Sequence, residues 1–317
     1  MRIPSTVTLL IATLPLLAQD PDLLRHFDYD QRASLDIQEA GVEHRGSVTI
    51  HDISYASPKG GRVPAYLAVP DGKGPFAAGD TGAWLRVSEP QGILAEAVAL
   101  APAGVVSLMT DGPIARPGHV EDRSPLNKQQ ITDLVQQIID MRRGADLLLA
   151  GSDVDPRRLA YVGHSYDAEV GGFLSGIDRR FKAFVLMAGA LSDEVDIRSK
   201  EYQEYRQQIG PDKFDAFRAK YSWLDPGKYV SHAAPAVVFL QYASQEKFLN
   251  PDRDHEYAAV VSEPKRFKLY DAPHALNAEA RRDRFAFLTE QLRLKPVAPG
   301  VVASIPDLVQ PPEPKTE

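Results

Sequence analysis

The chain has 317 residues, 44% hydrophobic and 25% charged, which is enough for one large core or two modest ones. A net charge of -7 with no long basic run excludes the electrostatic footprint of a nucleic-acid binder. With no cysteine, disulfides, thiolate nucleophiles and cysteine metal sites are all excluded, so any nucleophile must be an oxygen or a nitrogen.

The first segment, MRIPSTVTLLIATLPLLAQD, places Arg2 ahead of an apolar run from Val7 to Ala18 and ends that run on a small residue. This is the pattern of a secretory signal peptide, expected over 1–18. The run is shorter than the roughly 20 residues a bilayer span needs. The expectation is therefore a secreted or periplasmic protein with no membrane association after cleavage.

Next, SVTIHDISYA and RVPAYLAVP flank the turn-forming SPKGG and predict an antiparallel hairpin. Short buried strands are predicted at Val105 to Met109, Leu159 to Val162, Phe181 to Leu186 and Ala236 to Tyr242. Helices lie between them. Ile131, Leu134, Val135, Ile138 and Ile139 share one face, as do Phe285, Leu288 and Leu292, and Asn277 is placed to cap the last helix. Strands alternating with helices at this spacing predict an α/β protein with a mostly parallel central sheet covered on both faces. The segment 191–234, with Phe214, Phe217 and Tyr221 at helical spacing, is expected to be a small helical cap. An alternative is that its aromatics only anchor it to the core. The proline-rich end, 295–317, is expected to be a flexible tail, leaving 19–294 as the folded domain.

YVGHSYDAEVGG (Tyr161 to Gly172) joins a predicted strand to a predicted helix, with Ser165 at the turn. Such a turn lifts the serine oxygen clear of the sheet and aims backbone N–H groups at developing negative charge. A serine needs a base and an orienting carboxylate, here expected in the order serine, acid, histidine. His274, in the loop LYDAPHALN after a late strand, is the candidate base. His255 lies in a predicted surface helix, and His164 is expected to point away from Ser165 and pack. Glu246, in ASQEKFLNP, is the carboxylate at the end of its strand. Asp252 and Asp254 come after Pro251, in the next helix.

Four motifs, SYASPKGGRVPAYLAVP, YVGHSY, FLQYASQEKFLNP and LYDAPHALN, resemble those of the α/β-hydrolase superfamily. Within it they are most similar to the dienelactone hydrolase-like or acetyl xylan esterase-like group, over about His44 to Leu294. The resemblance implies an α/β-hydrolase fold and a hydrolase without metal or other cofactor. It also implies an acyl-serine intermediate on Ser165, with His274 and Glu246 completing a triad. It places the oxyanion donors at the backbone N–H groups of Tyr166 and, by counting back from ILAEAVALA, Trp84.

Two departures stand against it. Asp167 occupies the elbow position where the family has a small residue; it is expected to widen the turn, to point outward under strain, or to bond the helix N-terminus. The run Gly74 to Gln91 contains Gly79-Asp80-Thr81-Gly82, which reads as an interrupted third strand. Three functional readings follow: an exported carboxylic ester hydrolase acting on small-molecule or carbohydrate-linked esters, a serine peptidase of the same fold, and a catalytically impaired binding protein on the same frame. Arg116 or Arg123 is a candidate for recognising an acidic substrate, against the simpler reading of a surface charge or a fold ion pair.

Overall fold

The computed structural model describes residues 20–308 apart from 84–91, 121–126, 152, 190–199 and 248–253. After a short helix α1 (Pro21–Arg25) come β1 (Gln38–Arg45), β2 (Val48–Ala56) and β3 (Arg62–Pro70). Val48, Ile50 and Ile53 of β2 and Val63, Ala65 and Ala68 of β3 are buried, while intervening residues are more open. The buried side changes along each strand: Val48 and Ile50 pack with Ala68 in one core, and Ile53 packs with Val63 and Ala65 in another, in a register that sets Ile53 opposite Ala65 and Ile50 opposite Ala68. Its turn uses Gly60 and Gly61 at φ 98° and 78°, which a side chain would resist.

The chain then alternates: β4 (Phe76–Ala83), α2 (Gly92–Leu100), β5 (Val105–Asp111), α3 (Lys128–Ala150), β6 (Val154–His164), α4 (Tyr166–Ile177) and β7 (Phe181–Met187). Helices α5 (Lys200–Ile209), α6 (Pro211–Tyr221) and α7 (Gly227–Val230) intervene before β8 (Val237–Ala243), α8 (Asp254–Val260), β9 (Lys265–Tyr270), α9 (Ala278–Leu292) and α10 (Pro299–Ser304). Among the described residues, nine strands form one sheet in the order β1-β2-β3-β5-β4-β6-β7-β8-β9. The pairs from β5 to β9 are parallel and those from β1 to β5 through β3 are antiparallel.

Helices cover both faces, as the alternation predicted. Phe184 and Leu186 of β7 share a core with Ile138 of α3 and Phe173 of α4. Val185 and Met187 belong to a second core with Phe285 and Leu288 of α9. Asn277 caps α9, accepting the Ala280 N–H at 3.0 Å.

Two expectations are corrected and one element is added. The Gly79-Asp80-Thr81-Gly82 run does not interrupt the third strand: β4 runs through it, paired with β5 from Ala77 to Ala83 and with β6 at Ala78, Gly79 and Asp80. Backbone pairing on both sides overrides the weak strand preference of glycine and aspartate. The described part of the expected tail, 295–308, is not without structure. Val302 and Ile305, three apart, are buried in the core of α2 and α9, so Pro299–Ser304 folds as α10. The exposed edge strand β1 was not predicted, because its burial shows no alternation to read. In the expected cap, Phe214 is buried and meets Tyr205 edge-on at 5.8 Å, while Phe217 packs on Tyr221 at 4.7 Å.

Candidate active site

β4 lies between β5 and β6, where the chain reverses its direction of progress across the sheet. Crevices form outside the carboxyl ends of strands at such a point. Ser165 sits there, between the last residue of β6 and the first of α4. Its φ of 56° and ψ of -120° are strained for a residue with a Cβ. The strain is held from both sides, since the Ser165 N–H donates to Met187 O at 2.8 Å and the Ala168 N–H donates to Ser165 O at 2.9 Å. Two glycines make the turn feasible. A Cβ on Gly163 would lie 2.2 Å from Asp167 O, and one on Gly189 would lie 2.1 Å from Ser165 O.

His274 and Glu246 come together from separate loops. His274 Nδ1 and Glu246 Oε2 are 2.6 Å apart, and both side chains are 3% exposed. A carboxylate only accepts, so Nδ1 carries the proton and Nε2 is left as the basic nitrogen. The Lys247 N–H donates to Glu246 Oε1 at 2.8 Å, fixing the other oxygen. His164, just before Ser165, donates from Nε2 to His274 O at 2.8 Å, and the two rings meet edge-on at 4.8 Å. Burial, with the neighbouring His274 adding to it, lowers the His164 pKa to about 4, so this ring is neutral at physiological pH. His164 therefore packs, as expected, and it ties His274 to the elbow. Among the described residues Ser165 Oγ makes no hydrogen bond to His274. For Ser165 to pass a proton to His274, the two would have to close to about 3 Å.

His255 is exposed, and its ring meets that of Phe267 at a tilt, with centroids 4.6 Å apart. Asp254 is buried, and that burial, reinforced by the charge of Glu246, raises its pKa to about 7. Trp84 and Arg123 lie outside the described residues. Arg116 is spent on the fold, donating to Asp140 Oδ2 at 2.6 Å and to Asp111 O at 3.2 Å. Around the elbow the field is negative instead. Burial raises the Tyr166 hydroxyl well above its ordinary pKa, and Glu169, Asp167 and Asp133 push it the same way.

Asp167 points inward rather than outward. Its side chain is 3% exposed and Oδ1 accepts from Gln137 Nε2 at 2.7 Å. The Tyr161 hydroxyl donates to Asp167 O at 2.8 Å. Gln137 belongs to a second stripe on α3, Asp133, Gln137, Asp140 and Gly144, at helical spacing. The three side chains in it are buried. The apolar stripe of α3 was read in the sequence and this polar one was overlooked, although the 4-3-4 spacing was visible.

No family model and no curated protein matches the sequence. Solved structures do. The acetyl xylan esterase from Paenibacillus sp. R4 superposes with a TM-score of 0.70 at 19% identity, over 88% of this chain and 97% of that one. Acetyl xylan esterase 1 from Thermoanaerobacterium sp. JW/SL YS485 gives 0.70 at 17%, over 85% and 92%. A glucuronoyl esterase from Solibacter usitatus gives 0.59 at 14%, over 86% and 91%. At these identities the likeness is one of fold.

Proposed function

We propose that this chain, which has the α/β-hydrolase fold, is a serine hydrolase of carboxylic esters working through an acyl-serine intermediate. The observation that carries the reading is the buried Glu246–His274 pair beside a strained strand-to-helix serine. Ser165 Oγ attacks the ester carbonyl as its proton passes to His274 Nε2. Glu246 holds the imidazole's tautomer and stabilises the cation that forms. The oxyanion is received by the Tyr166 N–H at the start of α4 and, in this proposal, by the N–H of Trp84. Collapse expels the alcohol, which takes the proton back from His274. Water then repeats the sequence on the acyl-serine and releases the acid.

The substrate side of the proposal follows from charge. With Arg116 engaged by Asp140, and with Asp133, Asp167 and Glu169 acting on Tyr166, the site favours a neutral ester over one bearing a carboxylate. An acetyl group on a small molecule or a carbohydrate hydroxyl has that chemistry, in keeping with the names of the acetyl xylan esterases above. The described helices α5 and α6 are the proposed cap over the pocket. Residues 1–18 are the proposed export signal, and they lie outside the described residues. The test is hydrolysis of p-nitrophenyl acetate against the p-nitrophenyl monoester of succinic acid. The expected result is turnover of both, with the acetate favoured by kcat/KM at least tenfold and both rates lost in Ser165→Ala. Activity that survives Ser165→Ala would contradict the assignment.

A further inference from the structure

The two departures from the hydrolase pattern meet in space. A Cβ on Gly82 would lie 2.1 Å from Asp167 Oδ1 and 2.8 Å from its Cγ, so the elbow carboxyl occupies the volume that any side chain at position 82 would fill. The same Cβ would come within 3.3 Å of Gln137 Nε2. A second socket serves the other end of the amide: a Cβ on Gly112 would lie 2.7 Å from Gln137 Oε1. Gly82 pairs with Thr110 near the end of β4, and Gly112 directly follows β5. Two glycines at neighbouring strand ends thus enclose one aspartate–glutamine pair.

The pair connects three elements. Asp167 is in the first turn of α4, its main-chain oxygen held from β6 by Tyr161 and its carboxyl held from α3 by Gln137. Both groups bear on the last residues of β4. That strand ends at Ala83, directly ahead of the position proposed for the second oxyanion donor. Tyr166, the proposed first donor, is the residue before Asp167. Any change in the distance between α4 and β4 therefore moves the Ser165–Tyr166 turn relative to the end of β4 at Ala83. Catalytic groups of this kind lose rate steeply with displacements of about 1 Å.

We propose that Asp167 and Gln137 are positioning residues: a buried side-chain pair that replaces the small elbow residue and sets the spacing between the Ser165–Tyr166 turn and the end of β4. Glycine at position 82 is the counterpart of aspartate at 167, and neither is a defect. This inference rests on the ester-hydrolase reading above. Because both side chains are buried, the pair acts on kcat and leaves KM in place.

The experiment measures kcat and KM for p-nitrophenyl acetate, fluorophosphonate labelling of the serine, and thermal midpoint. It compares wild type with Asp167→Gly, Gln137→Glu and the double variant Asp167→Asn/Gln137→Glu. Gln137→Glu sets two carboxyl groups against each other, whereas the double variant restores one donor and one acceptor with the direction reversed. The expected result is a fall in kcat of at least tenfold in Asp167→Gly and in Gln137→Glu, with KM within threefold. The double variant should recover kcat to within about threefold of wild type. If Asp167→Gly fails to fold, the Gln137→Glu and double-variant comparison carries the test alone. Two results overturn the inference while sparing the hydrolase reading. One is an active wild type whose folded variants keep kcat within twofold or gain activity; the other is a loss confined to KM. A wild type that neither labels nor turns over removes the hydrolase reading, and this inference with it.

Discussion

Asp80 makes the stability of this protein depend on pH in a way that one substitution should expose. The residue sits in the middle of β4 with 0% exposure, and neither carboxyl oxygen has a hydrogen-bond partner among the described residues. Burial pushes its carboxyl well above the ordinary range, with the charges of Asp178 and Asp167 adding to the shift. The Thr81 N–H, which does not close to a full hydrogen bond, and the charge of Arg180 oppose the shift without cancelling it. The folded state thus binds a proton that the unfolded chain releases near pH 3.9. For a group raised on folding, the stabilising contribution is complete below the unfolded pKa and is lost as pH climbs toward the folded one. The loss is about 1.4 kcal/mol per pH unit across that window. Asp80→Asn keeps the shape and cannot titrate. Urea unfolding of both proteins at pH 4.5, 5.5, 6.5 and 7.5 cancels every other carboxylate in the difference between them. The stability of Asp80→Asn relative to wild type should rise with pH, with a slope of at most about 1.4 kcal/mol per unit, and level off once the pH passes the folded pKa of Asp80. A difference that stays flat with pH would refute the argument, because it would mean that Asp80 is as easily ionised folded as unfolded.

Two further predictions concern single side chains. Glu246→Gln removes the charge that holds His274 while keeping a side chain of the same size. It should lower kcat by roughly 10²- to 10⁴-fold with KM little changed, measured on p-nitrophenyl acetate; a fall below threefold would mean another group orients the ring. Glu96 on α2 takes a guanidinium hydrogen bond from Arg284 on α9 at 2.9 Å and lies 3.8 Å from Arg281, with both arginines nearly buried. Glu96→Ala strands those charges and should cost about 3–5 kcal/mol in urea unfolding, whereas a loss under 1 kcal/mol would show that water or Asp307 replaces the carboxylate.

Much of this protein was legible because its strands are short apolar runs and its chemical residues stand at their ends. The candidates Ser165, Glu246 and His274 could be read in order because Ser165 directly follows β6 and the other two stand in the loops just past β8 and β9, and the structure brings Glu246 and His274 into contact. What escaped the sequence was pairing at a distance. Gly79-Asp80-Thr81-Gly82 has the composition of a break, and only the pairing to β5 and β6 makes it a central strand. Asp167 looked like a fault at the elbow because its compensation, Gly82, is 85 positions away on another element. Gln137 gave a local signal, the second stripe on α3, but nothing local says that its partner is Asp167. β1 has no buried face to produce alternation, and α10 hides its docking residues, Val302 and Ile305, among prolines.

The central claim is that Ser165 becomes covalently acylated. The most direct measurement is peptide mass mapping of the purified chain after reaction with a fluorophosphonate, set beside chain quenched in acid during p-nitrophenyl acetate turnover. The account predicts one adduct per chain in each case, both on the peptide containing Ser165, with neither formed in Ser165→Ala. A folded wild type that hydrolyses the ester while its adduct maps elsewhere, or that remains unmodified by both reagents, would contradict it.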